Sequence, residues 1–206
     1  GGTNIKGVIT DEVGRILIYR DRPTPSTARD IDIVLADMTR TMAASVSAPV
    51  EKIYATGIGA AGSIDRNRGI VITSPNVPAW HNYPLCKKVE KLTGRRVYLE
   101  NDATAACAGV WWHTIKDKYS NWIMLTLGTG IGGGAVIDGR LFTGQAGSSM
   151  EVGHMSLDPH GPLCPCGNRG CFELYSSATA LVRYVRSNMK DFPGSPLAHL
   201  GEKELT

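Results

Sequence analysis

Five of the seven residues from Gly128 to Gly134 are glycine, within the stretch LGTGIGGGAVIDG. Nothing else in the sequence limits the fold as sharply. Gly128, Gly130 and Gly133 have the G-x-G-x-x-G spacing of a dinucleotide-binding turn, and Glu151 stands near where such a fold keeps its ribose acid. That fold needs a helix straight after the glycines, so that pyrophosphate meets a helix N-terminus. Here Ala135-Val136-Ile137-Asp138-Gly139 follows, a β-rich run ending in a turn pair. Residues 121–144 therefore predict strand, glycine turn, strand, turn, strand. A glycine hairpin can still bind phosphate, by presenting backbone N–H groups as an anion-binding concavity. There are more glycines than one tight turn requires, which favours phosphate binding over a plain hairpin.

The rest of the chain alternates in type. Residues 3–22 predict a β-hairpin about the turn Asp11–Gly14. Residues 26–48 predict an amphipathic helix capped by Ser26 or Thr27, with Ile31, Val34, Leu35, Met38, Met42 and Val46 on one stripe. Residues 52–62 predict a strand entering a glycine-rich loop, and 69–76 another strand. Residues 84–94 predict a helix with proline in its first turn and glycine past its end. Residues 95–102 predict a strand, 103–112 a helix of small residues, and 173–189 a further helix. A hairpin feeding into β/α alternation implies a mixed α/β fold rather than a plain doubly wound one. The expected boundary divides a lobe of residues 1–101 from a second lobe of 102–206.

The net charge of +3 is too small to argue for nucleic acid or an acidic membrane surface, and no run of 18 apolar residues suggests a membrane span. The five cysteines are an odd number, and Cys86 and Cys107 fall in helix-like segments. That pattern speaks against a secreted disulfide framework and for a cytoplasmic protein. The chain opens on Gly1-Gly2-Thr3 without an initiator methionine and closes on GEKELT, so residues are expected to be missing on both sides.

Two further motifs carry chemistry. In LEND, Asp102 sits where a strand meets a helix. It is either a helix N-cap or a carboxylate at the mouth of the sheet, where open α/β folds bind ligands. There it could take a proton from a substrate hydroxyl, with Asn101 hydrogen-bonding a polyol beside it. The second motif is GPLCPCGNRGCFE, residues 161–173. Cys164, Cys166 and Cys171 lie in a loop broken by glycine and proline, with little core to bury thiols in. With His154, ten residues upstream of Cys164, they form a Cys₃His set of the structural zinc type. His160 competes for the fourth position, but four residues from Cys164 it leaves a tight chelate loop. The zinc loop is thus expected to span 154–173. A zinc-ribbon module for nucleic acid is disfavoured, because no basic stripe accompanies the cysteines.

Gly1-Gly2-Thr3, SPNVPAWHNYPL, LENDATAA, LGTGIGGG, EVGHM and CPCGNRGCFE occur together in this order. In this the sequence resembles the ROK family (repressor, open reading frame, kinase) over nearly its whole length. Within it the likeness is greatest to the bacterial glucokinases and extends to N-acetylmannosamine and fructose kinases. The resemblance implies an actin-like ATPase (ribonuclease H-like) fold, with two α/β lobes around a cleft. It implies ATP with Mg²⁺ as cofactor and phosphorylation of a hexose, glucose first, at its 6-hydroxyl. N-acetylmannosamine, N-acetylglucosamine, mannose and fructose are the alternative sugars, and polyphosphate an alternative donor. Gly2 and Thr3 match a first phosphate loop whose opening aspartate, a magnesium group, would precede Gly1. Gly128, Thr129, Gly130, Gly132, Gly133 and Gly134 match a second.

By the same resemblance Asp102 is the catalytic base. Gly62, Asn76, Asn101, Asp102, Glu151, His154 and Glu173 are sugar contacts, and His154 is also a metal ligand with Cys164, Cys166 and Cys171. A homodimer is implied. Family members continue into a helical region that closes the adenosine pocket, so a chain of this length is expected to bind ATP poorly. The family also contains sugar-responsive transcriptional repressors, which carry a helix-turn-helix ahead of this region. The intact Asn-Asp pair and glycine turn favour the kinase.

Overall fold

The computed structural model describes residues 3–46, 54–145 and 147–199. Gly2 lies outside them. The chain divides into two compact units, one of residues 1–122 and 135–149, the other of 123–134 and 150–206. The first unit thus holds residues 102–122 and 135–149, which the sequence assigned to the second lobe. None of the described helices is long and apolar enough to cross a membrane.

In the first unit, strands β1 (Asn4–Thr10) and β2 (Ile16–Pro23) form the expected antiparallel hairpin. Helix α1 (Ala28–Ser45) starts at Thr27, whose hydroxyl oxygen accepts the Asp30 N–H at 3.1 Å. Its stripe buries Ile31, Met38 and Met42, but also Asp32, which no apolar periodicity marks. Strand β3 (Thr56–Ala60) runs parallel to β7 (Val97–Asn101), with Ala60 opposite Asn101. Between them in sequence lie β4 (Ser63–Asp65), β5 (Ile70–Thr73) and β6 (His81–Tyr83), a three-stranded antiparallel sheet. Helix α2 (Leu85–Thr93) follows, ended by Gly94 in the left-handed conformation. Ile31, Ile64, Val71, Leu85, Val89 and Leu99 lie at the centre of this unit's core. Helix α3 (Asp102–Val110) continues β7 without a loop and widens into a π-helical turn at Trp111–Ile115. Cys86 and Cys107 are buried in α2 and α3, and no cysteine is in a disulfide.

Strands β8 (Trp122–Leu127), β9 (Ile131–Ile137) and β10 (Arg140–Phe142) form a sheet in the order β10-β9-β8, as the glycine pattern predicted. Residues 131–134 of β9 belong to the second unit and 135–137 to the first. The single helix expected over 173–189 is two. Helix α4 (Glu173–Ser176) ends where Ser177 turns extended, and α5 (Ala178–Asn188) restarts with the Ser177 hydroxyl as its cap. The Ser177 oxygen takes the Ala180 N–H at 3.1 Å, and that capping bond stabilises the break.

Candidate active site and metal cluster

The first unit assembles one set of polar groups from the ends of the parallel pair. Asn101, the last residue of β7, is the helix cap. Its side-chain oxygen accepts the Thr104 N–H at 3.1 Å, and its amide donates to the Gly62 carbonyl at 3.1 Å. The sequence left open whether Asp102 was merely the cap. It is the first helical residue instead, exposed, with Oδ1 accepting the Ala103 N–H at 2.9 Å. Asp102 and Asn76 line one cavity of about 1640 Å³, together with Ser74, Val77 and Trp80. Gly62 has φ +115°, and a Cβ there would stand 2.1 Å from the Thr73 carbonyl oxygen. Only glycine permits that approach. It brings the loop after β3 against the residues leading to Asn76. Thr3, exposed, accepts the Thr24 N–H through its carbonyl at 2.9 Å.

In the second unit the glycine run has two parts. Gly128, Thr129 and Gly130 form the turn, closed by a Gly128 N–H bond to the Gly130 carbonyl at 3.0 Å. Gly132, Gly133 and Gly134 lie inside β9. A Cβ on Gly133 would come within 3.0 Å of the Met150 carbonyl, so packing as well as phosphate binding explains the excess of glycine. The sequence did not bring its expected helix over 173–189 to this turn. The Gly128 carbonyl accepts the Ala178 N–H at 2.9 Å, so the N-terminus of α5, not the segment following the glycines, abuts the turn. Helix N-termini favour anions.

The cysteine loop folds back on itself. Cys164 N–H donates to the Asn168 carbonyl at 2.8 Å, and Gly167 N–H to the Cys164 carbonyl at 2.9 Å. The bridge of Ser156 to Cys171 fastens the loop to the chain beside His154. The ligand atoms of His154, Cys164, Cys166 and Cys171 all lie within 4.8 Å of one another. Cys166 and Cys171 sulfurs are 3.6 Å apart, and Cys164 Sγ is 3.9 Å from His154 Nδ1. Tetrahedral bonds of about 2.3 Å to sulfur and 2.0–2.1 Å to nitrogen give edges of roughly 3.6–3.8 Å. His160 is exposed and outside this cluster.

Electrostatics make the same point. Burial pushes the Cys164 thiol up to about 12 and raises Cys171 as well, while the backbone N–H of Asn168 lowers Cys166. Three thiols this close do not all ionise unaided, and a divalent cation reverses that preference. With Nδ1 turned to the sulfurs, His154 Nε2 is the nitrogen facing Glu151, 4.0 Å from Oε2. Glu173 Oε1 lies 3.5 Å from His154 Nδ1 and accepts the Cys164 S–H at 3.4 Å. Glu173 Oε2 accepts the Ile131 N–H at 3.4 Å, at the end of the glycine turn.

The ROK family profile matches residues 1–205. The chain belongs to the ROK family. Among its ROK relatives, the glucokinase of Thermotoga maritima is 42% identical over 197 residues, 95% of this chain and 61% of that protein. The xylose repressor of Bacillus subtilis is 33% identical over 202 residues, 96% of this chain and 52% of that protein. Among solved structures, a ROK glucokinase from Streptomyces griseus in complex with glucose and AMPPNP is similar. Its TM-score is 0.83 at 39% identity, over 94% of this chain and 60% of that one. The chain thus spans about three fifths of the glucokinases it matches. The mixed α/β fold expected from the resemblance is that of these ROK proteins.

Proposed function

We propose that this chain carries the sugar site and part of the nucleotide site of an ATP-dependent hexokinase of the actin-like ATPase type. It phosphorylates glucose, or a closely related hexose, at the 6-hydroxyl. The observation that carries this reading is the division of labour at the start of α3. Asn101 caps the helix and holds Gly62, which frees the exposed Asp102 carboxylate to face a cavity shared with Asn76. The relatives named glucokinase support the choice of sugar. N-acetylmannosamine, N-acetylglucosamine and fructose remain the alternative substrates of this site.

In this reading Asp102 accepts the proton of the attacking hydroxyl, within hydrogen-bond reach of it. Asn101 and Asn76 hold neighbouring ring hydroxyls, with Gly62 keeping Asn101 in place. Glu151, His154 and Glu173 bind hydroxyls near the anomeric carbon. The Gly128–Gly130 turn and Thr129 receive the donor's phosphates, with Thr3 and Gly2 on a second phosphate loop. Gly132, Gly133 and Gly134 support that turn from within β9. When bound, ATP with Mg²⁺ supplies the phosphoryl group and neutralises charge on its oxygens. Most of the rate enhancement then comes from positioning.

His154, Cys164, Cys166 and Cys171 hold a structural Zn²⁺, with no open ligand position and no part in the chemistry. Its role is to fix His154 and Glu173. A homodimer and a cytoplasmic setting, where thiols stay reduced, complete the proposal. A repressor is the second reading, favoured by the xylose repressor likeness. A coupled ADP-release assay of the full-length protein across a hexose panel tests the proposal. Turnover strongest with glucose is expected, and none with any hexose would refute it.

A further inference from the structure

The buried acid on α1 has no part in the chemistry above. Asp32 is 4% exposed, yet one carboxylate oxygen has no hydrogen-bond partner among the described residues. The other, Oδ2, accepts the Tyr83 hydroxyl at 2.6 Å, across 51 residues of sequence. Such a carboxylate is costly to bury, and an apolar residue would pack the α1 stripe without that cost. Its hydrogen-bond partner is Tyr83, and the charge that favours its ionised form is Lys88, whose Nζ lies 4.9 Å over the Tyr83 ring.

Tyr83 ends β6 and is stacked on Trp80, with ring centroids 6.0 Å apart and planes at 24°. The Trp80 N–H closes a turn onto the Val77 carbonyl at 2.8 Å. Burial and the neighbouring Asp32 carboxylate hold the phenol well above its usual range, so it stays a donor. The segment 74–80 is therefore gripped at both ends. At one end Ser74 packs against Gly62, which Asn101 holds; at the other, Trp80 rests on Tyr83. Asn76 lies between these anchors, in the wall of the cavity that Asp102 also lines.

We propose that Asp32 is a positioning residue for the 74–80 loop, acting through Tyr83 and Trp80 to hold Asn76 in register with Asp102. The proposal rests on the reading of that loop as a sugar contact. What the loop needs from Asp32 is an oxygen acceptor at a fixed point, not a charge.

The test uses the full-length protein with Tyr83→Phe, Asp32→Leu and Asp32→Asn, measured by steady-state kinetics and by hydrogen exchange of peptides covering 74–83. Losing the bond in Tyr83→Phe and Asp32→Leu should raise the hexose KM about fivefold, the scale of one uncharged hydrogen bond. The values of kcat and KM for ATP should stay within about twofold. Exchange should quicken over 74–80 and not across the unit. Asp32→Asn keeps an acceptor and should stay close to wild type in both readouts. Should Asp32→Leu fail to fold, Tyr83→Phe, which removes one oxygen, decides the matter. Unchanged exchange over 74–80 in Tyr83→Phe overturns the proposal, as does a fall in kcat with hexose KM unchanged. A wild-type protein that turns over no hexose would overturn the kinase reading, while the exchange measurement would still decide whether Asp32 orders the loop.

Discussion

Gly62→Ala should be among the most damaging single-methyl additions to this chain. With φ at +115°, a side chain there occupies a backbone region that L-residues rarely adopt. Such strain costs about 1–3 kcal/mol. The new Cβ would also stand 2.1 Å from the Thr73 carbonyl oxygen and 2.9 Å from Ser74 Cα, both backbone atoms. The strand must retreat by roughly 1 Å to restore contact distance. Thr73 is paired with Ser63 across the β4–β5 ladder. Retreat therefore forfeits ladder bonding worth about 1 kcal/mol. The sum is about 3 kcal/mol, which for a chain of this size lowers Tm by about 6–12 °C. Gly57, five residues earlier in β3, is the internal control. A Cβ there meets nothing within 4 Å and its φ is not positive. Gly57→Ala should gain about 0.5–1 kcal/mol by restricting the unfolded chain. Thermal unfolding followed by circular dichroism reads both variants. Equal Tm for the two alanine variants would refute the argument from close approach. Gly62→Ala should also weaken hexose binding, because strain at this residue shifts its own carbonyl, the acceptor that holds Asn101.

Asp102→Asn should abolish hexose phosphorylation in the coupled assay while calorimetry finds hexose affinity within about threefold of wild type, since an amide keeps the shape and loses the base. Elemental analysis of the purified protein should find zinc at one per chain. Cys166→Ser should lose that zinc and weaken hexose binding without altering the Asn101–Asp102 pair, whereas full hexose affinity in the metal-free variant would contradict the supporting role of the cluster. Asp32 offers a pH prediction. Burial raises its carboxyl above the ordinary value, so the folded state binds the proton more tightly than the unfolded one. Its contribution is then most favourable below the unfolded carboxyl pKa and is lost as pH rises through the higher folded value. Asp32→Asn does not titrate, so its Tm relative to wild type should climb as pH rises above the ordinary carboxyl value of about 4; a constant difference would refute the burial argument.

Much of this architecture was legible because local rules suffice for it. Thr27 and Gly94 mark helix ends by chemistry that acts within a few residues, and the short β-rich run after Gly134, closed by the Asp138-Gly139 turn pair, favours strand over helix. The Cys₃His grouping of His154, Cys164, Cys166 and Cys171 was legible because a Gly/Pro loop offers thiols no core to hide in. What stayed hidden depends on partners distant in sequence. Strands β4 and β6 have three residues each, too few for a period to register. Asn101 and Asp102 are both good caps, and the Thr104 N–H bond to the Asn101 side-chain oxygen shows which one is used; the bond of the Asn101 amide to Gly62, 39 residues away, has no local sign. Asp32 looks like the polar edge of an amphipathic helix until Tyr83 is placed beside it. Ser177 could have been suspected, because serine is a preferred helix N-cap. The apolar spacing on either side of it masked the break.

Glu173 shows why reading motifs one at a time falls short. Taken alone, it is an acid two residues beyond the last cysteine. In the folded chain its two oxygens divide between two structures. Oε1 lies against Cys164 and His154, and Oε2 takes the Ile131 N–H. That second contact explains Gly130, where a Cβ would stand 2.5 Å from the same oxygen. A side chain at residue 130 would push that oxygen aside, so the glycine leaves a carboxylate more than forty residues away room to reach Ile131. The cysteine loop fixes the start of α4, α4 fixes Glu173, and Glu173 fixes the end of the Gly128–Gly130 turn. Any change that loosens the cluster therefore bears, through this one side chain, on the Ile131 N–H where the turn enters β9.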